Sequence, residues 1–359
     1  MKKIAILTFT NGMNIGQRLQ NYALQTLLRD EGFCSYTVRQ RPSWTAFKSL
    51  IKEKIKILLK PKRCVKQIKK AVLFHRFNQK YISFEEKKLA SSGKCREKFV
   101  AKFDGFIVGS DQIWNPNSPF VGENFFLDFV PREKRFTYAP SFSVEKIPGS
   151  LVNTYSKRLN RFDYLSVREH AGADIIHSLT GRSASVVLDP TLLLTKKQWD
   201  ELIVSCPLRS DSPYILSLFL GDIPHADVAE LKAKINYPTI EIDTDSPIGP
   251  MEFLDLVSHA SLVLTDSYHI TIFSIIYRKP FINFQRRGTS IDMNSRFKTL
   301  YSLLDIPDRS WSFLRKNPSK ILDLNYNLIY NALCEKQAFS RKFLHDELLR
   351  IADSQAKSC

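Results

Sequence analysis

The sequence predicts an α/β protein built as two Rossmann-like domains facing a cleft, with a basic helical insertion in the first. Three observations carry that prediction. Short apolar strands alternate with amphipathic helices along most of the chain, a pattern that builds parallel sheets with helices on both faces. The alternation stops once, over a polar, proline-containing seam at residues 189–213, and then restarts. The length of 359 residues also exceeds what one typical core accommodates. The two domains are therefore expected over residues 1–192 and 193–359.

The first domain opens with a buried strand at 3–9 (KIAILTF). A helix follows at 16–32, with Leu19, Tyr22, Ala23 and Leu27 on one face and Gly32 closing it. A second strand is expected at 35–40. Beyond the insertion come strands at 103–109, 135–142, 163–169 and 184–189, with helices at 150–162 and 170–180. One short helix interrupts the seam. In the second domain, strands at 214–221, 239–243, 261–266 and 281–284 alternate with helices at 225–235, 250–260 and 267–278. A long helical tail fills about 322–355.

Composition narrows the class. With 43% hydrophobic and 25% charged residues the chain reads as a soluble globular protein. The start, MKKIAILTFTNG, has too short an apolar run and no small-residue cleavage site for a signal peptide, and no apolar stretch approaches a membrane span. Six cysteines without CxxC pairs or zinc spacing read as reduced thiols in a cytoplasm. The net charge of +17 attracts anionic partners. It is concentrated at 45–80, where twelve Lys or Arg accompany a single acid, Glu53. There Phe47, Leu50, Ile51, Ile55, Leu58 and Leu59 recur at helical spacing. That pattern fits a helix packed on its domain with a solvated basic face, or one lying on an anionic membrane surface. No nucleic-acid-binding motif accompanies the charge, so nucleic acid is not an expected partner.

In a doubly wound sheet, ligands sit at the carboxyl ends of the strands, and four loops there carry the chemistry. The first, TNGMNIGQRLQNYALQ (10–25), offers Asn14, Gln17 and Asn21 around a helix start, with Gly12 and Gly16 allowing close approach. It lacks both GK[ST] and GxGxxG, so it is no known phosphate loop. The second, VGSDQIWNP (108–116), groups Ser110, Asp111, Gln112, Trp114 and Asn115. Amides and carboxylates for hydroxyls plus an indole face make a carbohydrate kit; the alternative is a helix cap at Ser110 or Asp111 with Trp114 in the core. The third, LSVREH (165–170), ends a strand on Arg168, which either clamps a phosphate or carboxylate or pairs with Glu169 or another acid. The fourth, VLTDSYHITIFSIIYRKPF (263–281), puts His269 in the first turn of a helix capped by Asp266 or Ser267. A helix start favours anions, and a histidine there is a usable acid or base near neutral pH. RRGTSIDMNSRF (286–297) adds Arg286, Arg287 and Arg296 to the same edge. No His or acidic set has metal-ligand spacing, so no metal is expected.

Taken together, NIGQRLQNYALQ, GSDQIWNP, SVRE, VVLDPTLLL, LVLTDSYHITIFSIIYRKPF and NSRF resemble the polysaccharide pyruvyl transferase family over roughly residues 4–305. The resemblance implies a GT-B-like fold with the acceptor largely on the first half and the donor largely on the second. It implies transfer of a pyruvyl group from phosphoenolpyruvate to two sugar hydroxyls, giving a cyclic ketal and free phosphate, with no cofactor. By position, His269, Arg168 of SxR and Arg296 of NSR match family residues. Many members carry Arg-x-His where this chain has Ser267 two before His269, so Arg296 or Arg286 must supply the missing donor-binding charge. Expected roles follow: His269 and Asp111 for proton transfer, Arg168, Arg286, Arg296 and Ser267 for the donor, the first two loops for the acceptor. A lipid-linked acceptor would suit the basic insertion, and a cytoplasmic location at the inner membrane face follows from it. Two other readings share the composition: a nucleotide-sugar glycosyltransferase, and a non-catalytic basic protein binding membrane or nucleic acid.

Overall fold

Three parallel sheets position everything that follows. The computed structural model describes residues 1–10, 12–39, 51, 60–86, 89, 94–287 and 294–356. Most of the predicted amphipathic stretch at 45–59 lies outside the described residues. The chain divides into two compact units, Met1–Leu59 with Asn78–Leu193 and Lys336–Cys359, and Lys60–Phe77 with Leu194–Glu335.

The first unit begins with β1 (Lys3–Leu7), α1 (Ile15–Asp30) and β2 (Cys34–Val38). α2 (Pro61–Tyr81) precedes β3 (Phe84–Glu85), α3 (Lys94–Val100), β4 (Gly105–Asp111) and β5 (Arg135–Pro140). α4 (Val152–Leu159), β6 (Ser166–Val167), α5 (His170–Thr180) and β7 (Ser185–Val186) complete this stretch. The main sheet has the order β3-β2-β1-β4-β5, all parallel. The central strands are buried on both faces, as their continuous apolar runs require. α1 presses so closely on β4 that a Cβ at Gly109 would lie 2.5 Å from Leu24.

The expected strand at 163–169 is only two residues long and pairs with β7 in a separate small sheet. Beside one backbone bond to β5, from Arg168 N to Pro140 O (3.1 Å), side chains take over from a regular ladder here. Ser166 N donates to Thr137 Oγ1 (2.8 Å) and Ser166 Oγ donates to Thr137 O (2.8 Å), fastening β6 beside β5 through hydroxyls.

The second unit contains α6 (Lys196–Asp200), β8 (Ile215–Leu218), α7 (His225–Lys234), β9 (Thr239–Ile242) and α8 (Pro250–His259). β10 (Leu262–Thr265), α9 (Tyr268–Ile276), β11 (Phe281–Asn283), α10 (Asn294–Leu303), α11 (Trp311–Leu314) and α12 (Tyr326–Ala356) follow. Its sheet runs β11-β10-β8-β9, again parallel. The core joins Ile215, Phe219, Leu231, Leu264, Ile282, Phe284, Trp311 and Leu314.

The units are not the two continuous halves expected from the sequence. Lys60–Phe77, most of it in α2 and part of the predicted first-domain insertion, belongs to the second unit. Arg63 and Gln67 bind Asp245 (2.7 and 2.8 Å), and Lys70 Nζ donates to Thr244 O (2.9 Å). The last part of α12 belongs to the first. Leu188 N donates to Ser340 Oγ (3.0 Å), and a Cβ at Gly105 would meet Ile351 at 2.8 Å.

On that returning segment Glu347 is nearly fully buried, and burial pushes its carboxyl up to about 7 from 4.5, with Arg350 opposing and Asp163 and Asp346 adding to the rise. A carboxyl raised in the folded state holds its proton longer there than in the unfolded chain, so its contribution is complete below about 4.5 and is lost as pH rises through about 7. Glu347→Gln is therefore expected to gain on the wild type by up to about 1.4 kcal/mol for each pH unit across that window. Urea titrations of both proteins at pH 4.5, 6 and 7.5 check the slope, and a difference independent of pH would refute it.

Candidate functional site

In the first unit the chain leaves β1 toward one side of the sheet and β4 toward the other, so the loops after these strands flank the switch point where ligands bind in such sheets. The loop after β1 is built from within. Asn14 caps α1, accepting from Gln17 N (3.1 Å). Arg18 is buried and its Nη2 donates to Thr10 O (2.8 Å) and Gly12 O (2.7 Å), pinning the loop. Burial, then the nearby Arg39, pulls its guanidinium down to about 10.

β4 ends on Asp111, whose φ of 80° lies in the left-handed region that side chains rarely adopt. Its carboxylate is nearly buried and makes no side-chain hydrogen bond or ion pair among the described residues. Two further non-glycine residues with positive φ, Ala139 and Ser143 (both 54°), sit at the end of β5 and just past it. Three such residues gathered at one edge of one sheet mark it as strained, and strain of this kind costs about 1–3 kcal/mol per residue unless the surroundings impose it. The loop at 139–143 was not anticipated from the sequence. Glu169 holds it: one carboxylate oxygen accepts from Ser141 Oγ (2.9 Å), Phe142 N (2.8 Å) and Ser143 N (3.1 Å).

Several expectations for this edge are corrected. Trp114 is fully buried, stacked on Phe126 (5.7 Å, 6°) and against Phe142 and Phe162, with its indole N–H on Phe125 O (2.9 Å). It is a core residue and offers no face to a sugar. Asn21 is equally buried and accepts from Thr37 Oγ1 (2.8 Å), tying α1 to β2. Asn115 shapes its own turn, accepting from Asn117 N (2.9 Å) and donating to Gln112 Oε1 (3.1 Å). Ser110 Oγ donates to Asp189 Oδ2 (2.8 Å). Arg168 does not reach out over the strand ends. Its side chain is wholly buried and pairs with Asp189 at 2.6 Å, with Ser110 Oγ at 3.4 Å. Of the two readings of Arg168, the ion pair holds, and the partner is Asp189 rather than Glu169. Removing one member of a buried pair costs about 3–5 kcal/mol, so Arg168 variants report on folding before they report on ligands.

In the second unit the switch point lies between β8 and β10. Asp266, directly after β10, accepts from Leu220 N and Gly221 N (both 2.8 Å), closing the loop after β8 onto the loop after β10. Arg286, just past β11, donates from Nε to Asp266 Oδ2 (3.1 Å) and from Nη2 to Asp266 O (3.0 Å). The crowding leaves no room for a side chain at Gly221, where a Cβ would meet Arg287 O at 2.5 Å. Ser267 is the N-cap of α9, but its hydroxyl makes no capping bond. His269, in the first turn, and Arg296, from α10, both lie against the ring of Tyr268. The two rings are 5.7 Å apart, and the guanidinium is 5.5 Å from the ring centre. Tyr268 carries no signal of its own in the sequence, since an aromatic between a cap and a histidine has the pattern of a core residue. Arg287, exposed, instead pairs with the half-buried Asp227 (2.7 Å).

Beside this cluster the second unit holds a groove of about 770 Å³, lined by Phe284, Arg286, Arg287, Lys298, Trp311 and Arg315 among others. Cations thus outnumber acids along a partly aromatic wall. Among the described residues no group of three or more His, Cys, Asp or Glu side chains could hold a metal ion, and no helix is long and apolar enough to cross a membrane.

The strain at Asp111 gives a direct test of whether that residue serves the fold. Glycine adopts φ near 80° freely, so Asp111→Gly is expected to raise the unfolding free energy by roughly 0.5–1 kcal/mol. Denaturant titration measures it. A destabilised variant would show that the carboxylate supports the structure instead.

Comparison with known proteins adds three findings. No curated protein sequence matches this chain. Among solved structures, UDP-N-acetylglucosamine 2-epimerase from Rickettsia bellii superposes with a TM-score of 0.54 at 12% identity, covering 99% of this chain and 96% of that one. The S. aureus MnaA–UDP co-structure gives 0.50 at 12% identity, covering 93% and 91%. Identities this low establish the shared GT-B-like α/β fold and nothing about chemistry. The profile of the polysaccharide pyruvyl transferase family matches residues 14–287, a span that contains the Asp111 edge, the Arg168–Asp189 pair, Asp266, His269 and Arg286, with Arg296 lying just beyond it. The chain belongs to the polysaccharide pyruvyl transferase family.

Proposed function

We propose that the chain transfers a pyruvyl group from phosphoenolpyruvate to two hydroxyls of a sugar in a surface-polysaccharide precursor, forming a cyclic ketal and releasing phosphate. The observation that carries this reading is the cluster around Tyr268. There a histidine at a helix start and the buried Arg296 meet on one ring, beside the Asp266–Arg286 pair. Phosphoenolpyruvate carries a phosphate and a carboxylate, and two arginines with a helix N-terminus suit both anions. With Ser267 standing where many relatives carry arginine, Arg286 and Arg296 are the cations left to do that work.

In the proposed reaction the first sugar hydroxyl attacks C2 of the enol phosphate and gives up its proton, while C3 takes one up and becomes a methyl group. The C2–O bond to phosphate then breaks, and the second hydroxyl adds to C2 with loss of its own proton. The net change is one phosphoenolpyruvate and one diol to one ketal and one phosphate, with no redox step. His269 is the group proposed to move the proton at C3, and Arg286 and Arg296 stabilise the charge that grows on the departing phosphate. Asp111 is proposed to orient an acceptor hydroxyl, with Asn14, Gln17 and Gln112 as neighbours on the same sheet edge. A cytoplasmic location fits a substrate made there.

One observation favours a second reading, transfer from a nucleotide sugar. The groove of about 770 Å³ with Phe284 stacked on Trp311 (5.8 Å, 25°) is more than a three-carbon enol phosphate fills.

Thermal unfolding in the presence of phosphoenolpyruvate, UDP or CMP, at fixed ionic strength, separates the two. Phosphoenolpyruvate at a hundredfold excess over its Kd is expected to stabilise the wild type by about 2.7 kcal/mol, and Arg296→Gln to lose that shift. His269→Ala is expected to keep the shift but release no phosphate. A shift with nucleotide alone would overturn pyruvyl transfer in favour of glycosyl transfer.

A further inference from the structure

The rotation of α2 about its own axis is fixed by its contacts with the second unit, and this decides what the other side of the helix is for. Arg63, Gln67, Lys70, Phe74 and Phe77 make the inward face. The first three bind Asp245 and Thr244 O, and the two phenylalanines are buried at 3% and 0% exposure. On the opposite side, Val65, Ile68 and Val72 recur at i, i+3 and i+7, one stripe of a helix surface. They stand 53%, 59% and 45% exposed. Single exposed apolar residues need no explanation, but three in register on one helix do.

The stripe is edged with positive charge. At 100° per residue, Lys62, Lys69 and Arg76 fall within one quarter-turn of it, all are exposed, and none makes an ion pair among the described residues. Between Pro61 and Tyr81 there is no acidic residue. An apolar stripe flanked by cations and free of acids is the surface a helix presents when it lies flat in an anionic lipid interface. We infer that the outward face of α2, formed by Val65, Ile68 and Val72 with Lys62, Lys69 and Arg76, docks on the surface of a membrane containing anionic phospholipid. Insertion of the stripe removes apolar area from water, and the cations gain from the negative surface potential. Anchoring at the inward face means that the helix binds as part of the folded unit and need not fold on the lipid.

Co-sedimentation of the full chain with vesicles tests this. Wild type is expected to bind phosphatidylcholine vesicles containing about one-third phosphatidylglycerol, to ignore pure phosphatidylcholine, and to lose binding as salt rises from about 0.1 to 0.5 M. The triple variant Lys62→Gln/Lys69→Gln/Arg76→Gln should bind roughly a hundredfold more weakly. Val65→Glu/Ile68→Glu/Val72→Glu should lose binding while keeping the wild-type melting temperature, since none of the three sits on the anchored face. Binding that is equal on both vesicle types, or unchanged in both triple variants, overturns the inference. So does a wild-type dimer that the glutamate variant dissociates, since a second copy would then cover the stripe. The inference does not depend on pyruvyl transfer, and the phosphoenolpyruvate-dependent thermal shift should be the same in all three proteins.

Discussion

The buried pair of Arg168 and Asp189 holds together the strand edge of the first unit. Neither side chain touches solvent, and Ser110 at the end of β4 is drawn in from a third direction. Asp189 also accepts from Thr191 N (3.1 Å) and Thr191 Oγ1 (2.6 Å), which fixes the turn that leaves the unit. Burying two charges is expensive, and such a pair is retained where its geometry sets the position of its neighbours. Here those neighbours are the end of β4 and, through Glu169, the strained loop past β5. Asp111 keeps its unfavourable backbone between Ser110, which the pair holds, and Ser141, whose N–H donates to Asp111 O (2.9 Å) and whose hydroxyl Glu169 holds.

The second unit solves the same problem with a different acid. Asp266 sits at the strand edge, takes two backbone N–H groups from one loop and an arginine from another, and so sets the start of α9. His269 and Arg296 then both lie against the ring of Tyr268. In both units the charged residues that look most reactive in a linear reading are partly consumed in holding loops. The groups left to face a substrate are fewer than the motifs imply.

Much of the architecture was legible from period alone. The apolar runs at β1, β4, β8 and β10 and the helices α1, α5, α7, α8 and α9 lie where alternation and capping residues put them, because local pattern and burial agree there. The misreadings share a cause, which is partners distant in sequence. Trp114 looked like a sugar platform because Phe142 and Phe162, which enclose it, lie 28 and 48 residues on. For Arg168 the sequence left an anion clamp and an ion pair both open, because the acid that pairs with it, Asp189, comes 21 residues later. The strand at 163–169 shrank to two residues because Ser166 and Thr137 bond through hydroxyls, and no periodicity records that exchange. His269, Arg286 and Arg296 were read as gathering at one edge, and they do. What the sequence did not disclose is that Tyr268 and Asp266 are the surfaces on which they gather.

The interleaving of the two units has a consequence for synthesis. A chain emerging from the ribosome usually completes its N-terminal domain first. Here the first unit lacks Lys336–Cys359 until everything before that segment has been made. Until then the surfaces that Ile351 and Ser340 will cover, at Gly105 and Leu188, stay open. The second unit, whose earliest segment is Lys60–Phe77, has all its residues by Glu335 and so is the first that can close. The half of the protein that is translated first is the one that must wait longest to finish.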